Sequence, residues 1–137
     1  MKIVTLTATQ TLPIRHAVLW PNKSPEFCRV EGDHSALHYG IEMADELVCV
    51  GSVYIGAEKN SARLRKFATL PAFQKQGLGS CLLQKMLDDC RQRGLAVFWC
   101  DARESAIVFY QRFGLAPQGE RFYKEDEPYF KMRIDLQ

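Results

Sequence analysis

The period of apolar and polar positions changes several times along this chain, and each change marks an element. Residues 2–6 alternate and predict a short strand, and residues 10–20 carry apolar groups at helical spacing. Pro21-Asn-Lys-Ser-Pro-Glu then opens an irregular stretch that runs to about His34. Strands are predicted at residues 37–43 and 47–55, joined by a hairpin turn at Ala44-Asp-Glu, and at 63–70, where Pro71 ends the run. From Leu78 the apolar residues Leu82, Leu83, Met86, Leu87 and Cys90 fall on one helical stripe, opposite Gln84, Lys85, Asp88, Asp89 and Gln92, and Gly94 supplies the stop. A strand at 95–100, a helix at 104–113 closed by Gly114, and strands near 118–123 and 129–135 complete the pattern.

The junction between the strand at 63–70 and the long helix carries the clearest chemistry. Gln74, Gly77 and Gly79 read Q-x-x-G-x-G. Glycine removes the Cβ that would hold a ligand off the backbone, and the first N–H groups of a helix have no partner inside it. Phosphate oxygens can take those bonds, favoured by the positive end of the helix dipole, and Lys75 adds a cation. A dinucleotide fingerprint needs three glycines, and a P-loop needs G-x-x-x-x-G-K followed by Ser or Thr. Neither is present.

The segment resembles the GNAT superfamily of acyl-CoA-dependent N-acyltransferases, whose signature, Q/R-x-x-G-x-G/A, lies between the fourth strand and its helix. A second stretch, Ala102-Arg-Glu-Ser-Ala-Ile-Val-Phe-Tyr-Gln-Arg-Phe-Gly-Leu115, is similar to the family's A-x-x-F-Y-x-x-x-G-F segment, with Leu115 in place of Phe. The resemblance extends over residues 37–136. It implies a single α/β domain spanning residues 1–137, with a mixed, splayed sheet flanked by helices. It also implies acetyl-CoA as cosubstrate, its pyrophosphate on Gln74, Lys75, Gln76, Gly77, Leu78, Gly79 and Ser80, its pantetheine arm along Ala68, Thr69 and Leu70, and Arg103 as a further contact.

The same resemblance makes Tyr110 the acid that protonates the departing CoA thiolate and the Leu70 N–H the donor to the thioester carbonyl. A phenol titrates near the thiol range, so such a transfer is nearly balanced. Some relatives place a glutamate on the fourth strand, but that position is Arg63 here, and no carboxylate occurs between Ser61 and Leu70. Glu42 and His38 share a strand face by alternation and are the candidates to meet the acceptor, Glu42 as its base. Trp20, Phe27 and Arg29, in a stretch long enough to suggest function, complete the expected acceptor side.

Composition narrows the classes without choosing among acceptors. The 137 residues are 47% hydrophobic and 25% charged, enough for one core, and the 18 basic and 16 acidic residues leave +2 with no long single-sign block. Neither a nucleic-acid nor a membrane surface is expected. The five cysteines lack C-x-x-C spacing and suggest buried free thiols in a reducing cytoplasm. Asp33, His34 and His38 do not have a metal-ligand spacing, so no metal is expected. Two readings stay open: an N-acetyltransferase acting on a primary amine of a small molecule or peptide, and a non-catalytic acyl-CoA sensor that keeps the cradle. An ATP-binding reading lacks the P-loop hydroxyl and an acidic metal site. The oligomeric state, a homodimer included, is left undecided.

Overall fold

A computed structural model describes residues 1–57 and 60–137. Its elements are β1 (Lys2–Leu6), α1 (Ala8–Leu19), β2 (Leu37–Met43), β3 (Glu46–Ile55), β4 (Ser61–Thr69), α2 (Leu78–Gln92), β5 (Val97–Arg103), α3 (Ile107–Gln111), β6 (Ala116–Lys124) and β7 (Glu127–Asp135). Hydrogen bonding orders the strands as a seven-stranded sheet, β1-β2-β3-β4-β5-β7-β6. The sheet is mixed, because β4 pairs with β5 in parallel while β1–β2, β2–β3, β5–β7 and β6–β7 are antiparallel. This is the expected α/β class.

Two compact units make up the chain, Met1–Tyr54 with Leu64–Leu87, and Ile55–Arg63 with Asp88–Gln137. In the first, Val50 of β3 and Ala68 of β4 bury themselves with Ile14 of α1, and Leu6, Val18, Leu19, Leu47 and Leu70 pack around them. The next residue, Gly51, faces the other way, and a Cβ there would meet Met86 Cε of α2 and Phe67 Cδ1 at 3.2 Å each. Helices therefore cover both faces of β3, and each large apolar side chain so buried contributes about 1.5–3 kcal/mol. In the second unit, Phe98, Cys100 and Ala102 alternate inward along β5 and are buried, as are Met132 of β7 and Leu115.

Several boundaries differ from the sequence pattern, each for a local reason. The first helix begins at Ala8 rather than residue 10, because Thr7 and Gln10 form a capping box: the Thr7 N–H donates to Gln10 Oε1 at 2.8 Å, and the Gln10 N–H donates to Thr7 Oγ1 at 3.3 Å. Both hairpin turns are tighter than expected. Ala44 and Asp45 (φ 50° and 66°) and Glu125 and Asp126 (φ 49° and 70°) take left-handed conformations, so the strands run right up to them. The expected helix at 104–113 is a 3₁₀ turn at Glu104–Ala106 followed by one short α-helix, and β5 runs on to Arg103, past the expected strand end at 100.

Candidate functional site

The loop expected to hold the cofactor lies within the first unit. Strand β4 gives out at Thr69, and a 3₁₀ turn at Pro71–Phe73 carries the chain toward α2. Gln74, the first residue of the motif, is a brace rather than a free ligand contact: its Nε2 donates to the Thr69 carbonyl at 3.0 Å, tying the loop to the end of β4. Gln76 similarly donates to the Ala72 carbonyl at 3.3 Å. Lys75 and Gly77 both take left-handed φ values, 61° and 81°. A Cβ built on Gly77 meets nothing within 4 Å, so glycine serves backbone conformation there and leaves open space over the loop.

The first bond of α2 runs from the Cys81 N–H to the Gly77 carbonyl at 3.1 Å. By helix geometry the N–H groups of Leu78, Gly79 and Ser80 precede that ladder. A diphosphate fits such a strip of donors beside an exposed lysine. Cys81 itself is exposed, unlike the other four cysteines, because it lies off the buried stripe that Leu78, Leu82, Leu83 and Met86 form.

The expected carbonyl donor needs correcting. The Leu70 N–H already donates to the Val48 carbonyl at 2.9 Å, so it has no hydrogen left for a thioester. A different irregularity stands just upstream. Lys66 has φ 56° in the middle of β4, and it and its neighbour Arg65, which a regular strand would send to opposite faces, both lie over aromatic rings of the first unit. The Arg65 guanidinium is 5.6 Å from the Tyr54 ring centroid, and Lys66 Nζ is 4.2 Å from that of Trp20.

On the expected acceptor side, Trp20 and Phe27 meet edge to face with centroids 5.4 Å apart, and Phe27 is 52% exposed. Arg29 is held by Glu26 at 2.6 Å on the surface, and it lines an open cavity of about 740 Å³ with Thr7, Thr9, Glu31 and His34 among others. His38 reaches the same cavity wall but is 4% exposed with both ring nitrogens engaged. Nε2 lies 2.7 Å from the Asp33 carbonyl, which can only accept, so Nε2 carries the proton and Nδ1 accepts from Ser52 Oγ at 2.7 Å. Both ring nitrogens of His38 are therefore satisfied inside the fold, which leaves neither free to bond an acceptor in this arrangement. Glu42 stays half-buried near the edge of the sheet, opposite Lys2 of β1 and Leu47 of β3, where the β2–β3 register shifts.

In the second unit Tyr110 is 8% exposed on α3 and packs edge-on against Phe109 at 5.1 Å. Burial, then the charge and hydrogen bond of Cys100, push the phenol well above its ordinary range, so it stays protonated. Burial likewise pushes the Cys100 thiol up to about 12, partly offset by the hydrogen bond it receives from Tyr110. Arg103 is exposed at the end of β5 and bonds the Tyr129 hydroxyl.

Arg63, at the position where the resemblance would put a glutamate in some relatives, donates from Nη2 to Asp101 Oδ2 at 3.1 Å and stacks over Trp99 at 4.6 Å. Lys124 approaches the same carboxylate at 3.4 Å. The sequence pattern missed Asp101 because the signal is a register: Arg63 pairs with Trp99, and Asp101 follows two residues on, on the same face. Among the described residues no group of three or more His, Cys, Asp and Glu side chains could hold a metal ion, and no helix is long and apolar enough to cross a membrane.

This fold, with a glycine-opened helix after its fourth strand, defines a class of acyl-transferring enzymes. The chain belongs to the GNAT acetyltransferase family, since the sequence model of the acetyltransferase (GNAT) domain matches residues 24–136. It is 29% identical over 129 residues to YitI, an uncharacterized N-acetyltransferase of Bacillus subtilis strain 168, covering 89% of this chain and 87% of that one. It is 28% identical over 102 residues to the ribosomal protein bS18-alanine N-acetyltransferase of Escherichia coli K12, covering 72% and 66%. The crystal structure of the Escherichia coli S18-alanine enzyme superposes with a TM-score of 0.81 over 98% of this chain and 93% of that one, at 22% identity. An aminoglycoside 6'-N-acetyltransferase complexed with coenzyme A does so at 0.79 over 100% and 98%, at 14% identity. The structural likenesses show the fold, and the family assignment favours an acyltransferase enzyme over a sensor that has lost turnover.

Proposed function

We propose that this protein transfers the acetyl group of acetyl-CoA to a primary amine of a small molecule or peptide by direct attack, in the cytoplasm. The observation that carries the cosubstrate is the loop at residues 70–80, where Gly77 leaves the backbone open and the first N–H groups of α2 stand ahead of the helical ladder. Gly77, Leu78, Gly79 and Ser80 would hold the diphosphate, with Lys75 as a cation and Gln74 and Gln76 shaping the loop. Ala68 and Thr69 of β4 would run beside the pantetheine arm. The acetyl-CoA-complexed or CoA-complexed state of two structural neighbours supports this choice of cosubstrate.

In the reaction the acceptor nitrogen forms a bond to the thioester carbon while the carbon–sulfur bond breaks. The nitrogen loses a proton and the thiolate gains one. Tyr110, kept neutral by burial, is assigned as proton donor to the thiolate, a role in which its hydroxyl must turn from the Cys100 sulfur it bonds at rest and in which its raised pKa makes the transfer less balanced than for a free phenol. Glu42 and Asp101 are the carboxylates proposed to draw in or deprotonate the acceptor's ammonium, directly or through water, and Trp20 and Phe27 bound the acceptor. Release of free CoA thiol with a pooled amine library tests the reading, with Glu42→Gln and Asp101→Asn run in parallel. The base is the one whose variant loses the acidic limb of the acceptor kcat/KM profile while acetyl-CoA binding holds. No thiol release by wild-type protein with any amine overturns the reading.

A further inference from the structure

Among the described residues, one fully buried charged side chain with five hydrogen bonds lies outside the residues placed in the reaction. Arg15, on the inner side of α1, is fully buried at 0% exposure. Its Nη1 donates to Asp33 Oδ2 at 2.8 Å and to the Cys28 carbonyl at 3.1 Å. Its Nη2 donates to Asp33 Oδ1 at 3.0 Å, Ser52 Oγ at 3.0 Å and Tyr54 Oη at 3.2 Å. Asp33 is saturated from its own side, because it also accepts from the Tyr54 hydroxyl at 2.5 Å and from the Val30 N–H at 2.9 Å.

The topology of these partners is what matters. Ser52 and Tyr54 belong to β3, whereas Cys28, Val30 and Asp33 all belong to the irregular segment between α1 and β2. One guanidinium thus rivets that segment to helix and sheet at two points, Cys28 and Asp33, and the His38 Nε2–H bond to the Asp33 carbonyl reinforces the second. The segment's other end is held by Lys66 over Trp20. A buried ion pair adds little net stability over an apolar pair of the same shape, since desolvation offsets the attraction, whereas the fork of a guanidinium fixes geometry. Between the fixed points Phe27 is left exposed.

We propose that Arg15 is a positioning residue for acceptor selection: it holds residues 21–36 in one conformation, so that the acceptor meets a preformed wall carrying Phe27 rather than a lid that must close. The proposal rests on the acceptor-side reading given above. It is tested on the full chain with Arg15→Met combined with Asp33→Asn, which removes both charges together. Ser52→Ala, which deletes one guanidinium contact and the bond to His38 Nδ1 but keeps the ion pair, serves if the double variant does not fold, with His38→Ala as the control for the second loss.

Hydrogen exchange read by mass spectrometry should show amides 21–36 losing protection while those of α2 and β5 keep theirs. With an accepted amine, kcat/KM for the acceptor should fall by about 10–100-fold, as for a misplaced contact surface, with the KM for acetyl-CoA unchanged. Arg15→Lys should not rescue, because an ammonium cannot supply the fork. Unchanged protection of 21–36 in the folded variant overturns the proposal, and so does a loosened segment with wild-type acceptor kcat/KM. If wild-type protein acetylates no amine, the proposed function fails, and the exchange measurement alone decides whether Arg15 holds the segment.

Discussion

Tyr110→Phe separates chemistry from packing by removing one oxygen atom. The ring of Tyr110 is 8% exposed and keeps its edge-on contact with Phe109 when the hydroxyl goes, so no cavity larger than that oxygen opens. The lost hydrogen bond runs to a thiol sulfur, a weak acceptor that needs no replacement donor. Its loss should cost no more than about 0.5–1.5 kcal/mol, or about 2–5 °C in Tm for a chain of this length. Loss of a general acid, in contrast, should lower turnover by about 10²–10⁴-fold, equivalent to about 2.7–5.5 kcal/mol of barrier. The two effects differ enough that kcat and Tm measured on one sample tell them apart. The assay follows free CoA thiol at saturating acetyl-CoA and acceptor, with calorimetry for acetyl-CoA affinity, which should stay near wild type. Undiminished turnover in a folded Tyr110→Phe protein would refute the assignment and leave Tyr110 as a core aromatic.

Gly77→Val should weaken acetyl-CoA binding strongly by calorimetry, because a β-branched residue resists the φ of 81° that shapes the loop, at a local cost of about 1–2 kcal/mol; unchanged affinity removes the loop from the account. Burial raises the Asp33 carboxyl, but bonds from Arg15, Tyr54 and the Val30 N–H outweigh it and hold it well below the usual carboxylate range. Its stabilisation is therefore full above about pH 4, where the unfolded group titrates, and is lost as pH falls further, so urea midpoints should drop there and Asp33→Asn should flatten that drop. Cys90 and Cys100 are pushed up mainly by burial, to about 11 and about 12. Their stabilisation is full below about pH 8.5, where unfolded thiols titrate, and fades above it, a decline that Cys100→Ala should lessen.

Much of the fold was legible because its signals are local. The stripe from Leu82 to Cys90 needs only helical spacing, and Gly94 and Gly114 sit where left-handed caps belong, at φ 75° and 92°. The start of α1 was also written locally, in Thr7 and Gln10, but as a capping box rather than as hydrophobic period. What the sequence hid depends on chain segments meeting. The Leu70 N–H is consumed by Val48, which is far away in the chain, and the two cations Arg65 and Lys66 fall over rings only because φ turns positive at Lys66. Arg63 reads as a missing carboxylate until the register with β5 brings it to Asp101. Arg15 looks like an ordinary helix-surface cation, since none of its partners lies within a helical turn of it.

The lone exposed thiol has a practical consequence. Cys28, Cys49, Cys90 and Cys100 are shielded, while Cys81 stands in the first turn of α2, four residues beyond Gly77. A maleimide fluorophore added to the native sequence should therefore label a single position at the mouth of the proposed diphosphate loop, with no engineering. Its emission would report ligand arrival in real time, and protection of that thiol by bound ligand would turn an ordinary alkylation rate into a binding isotherm.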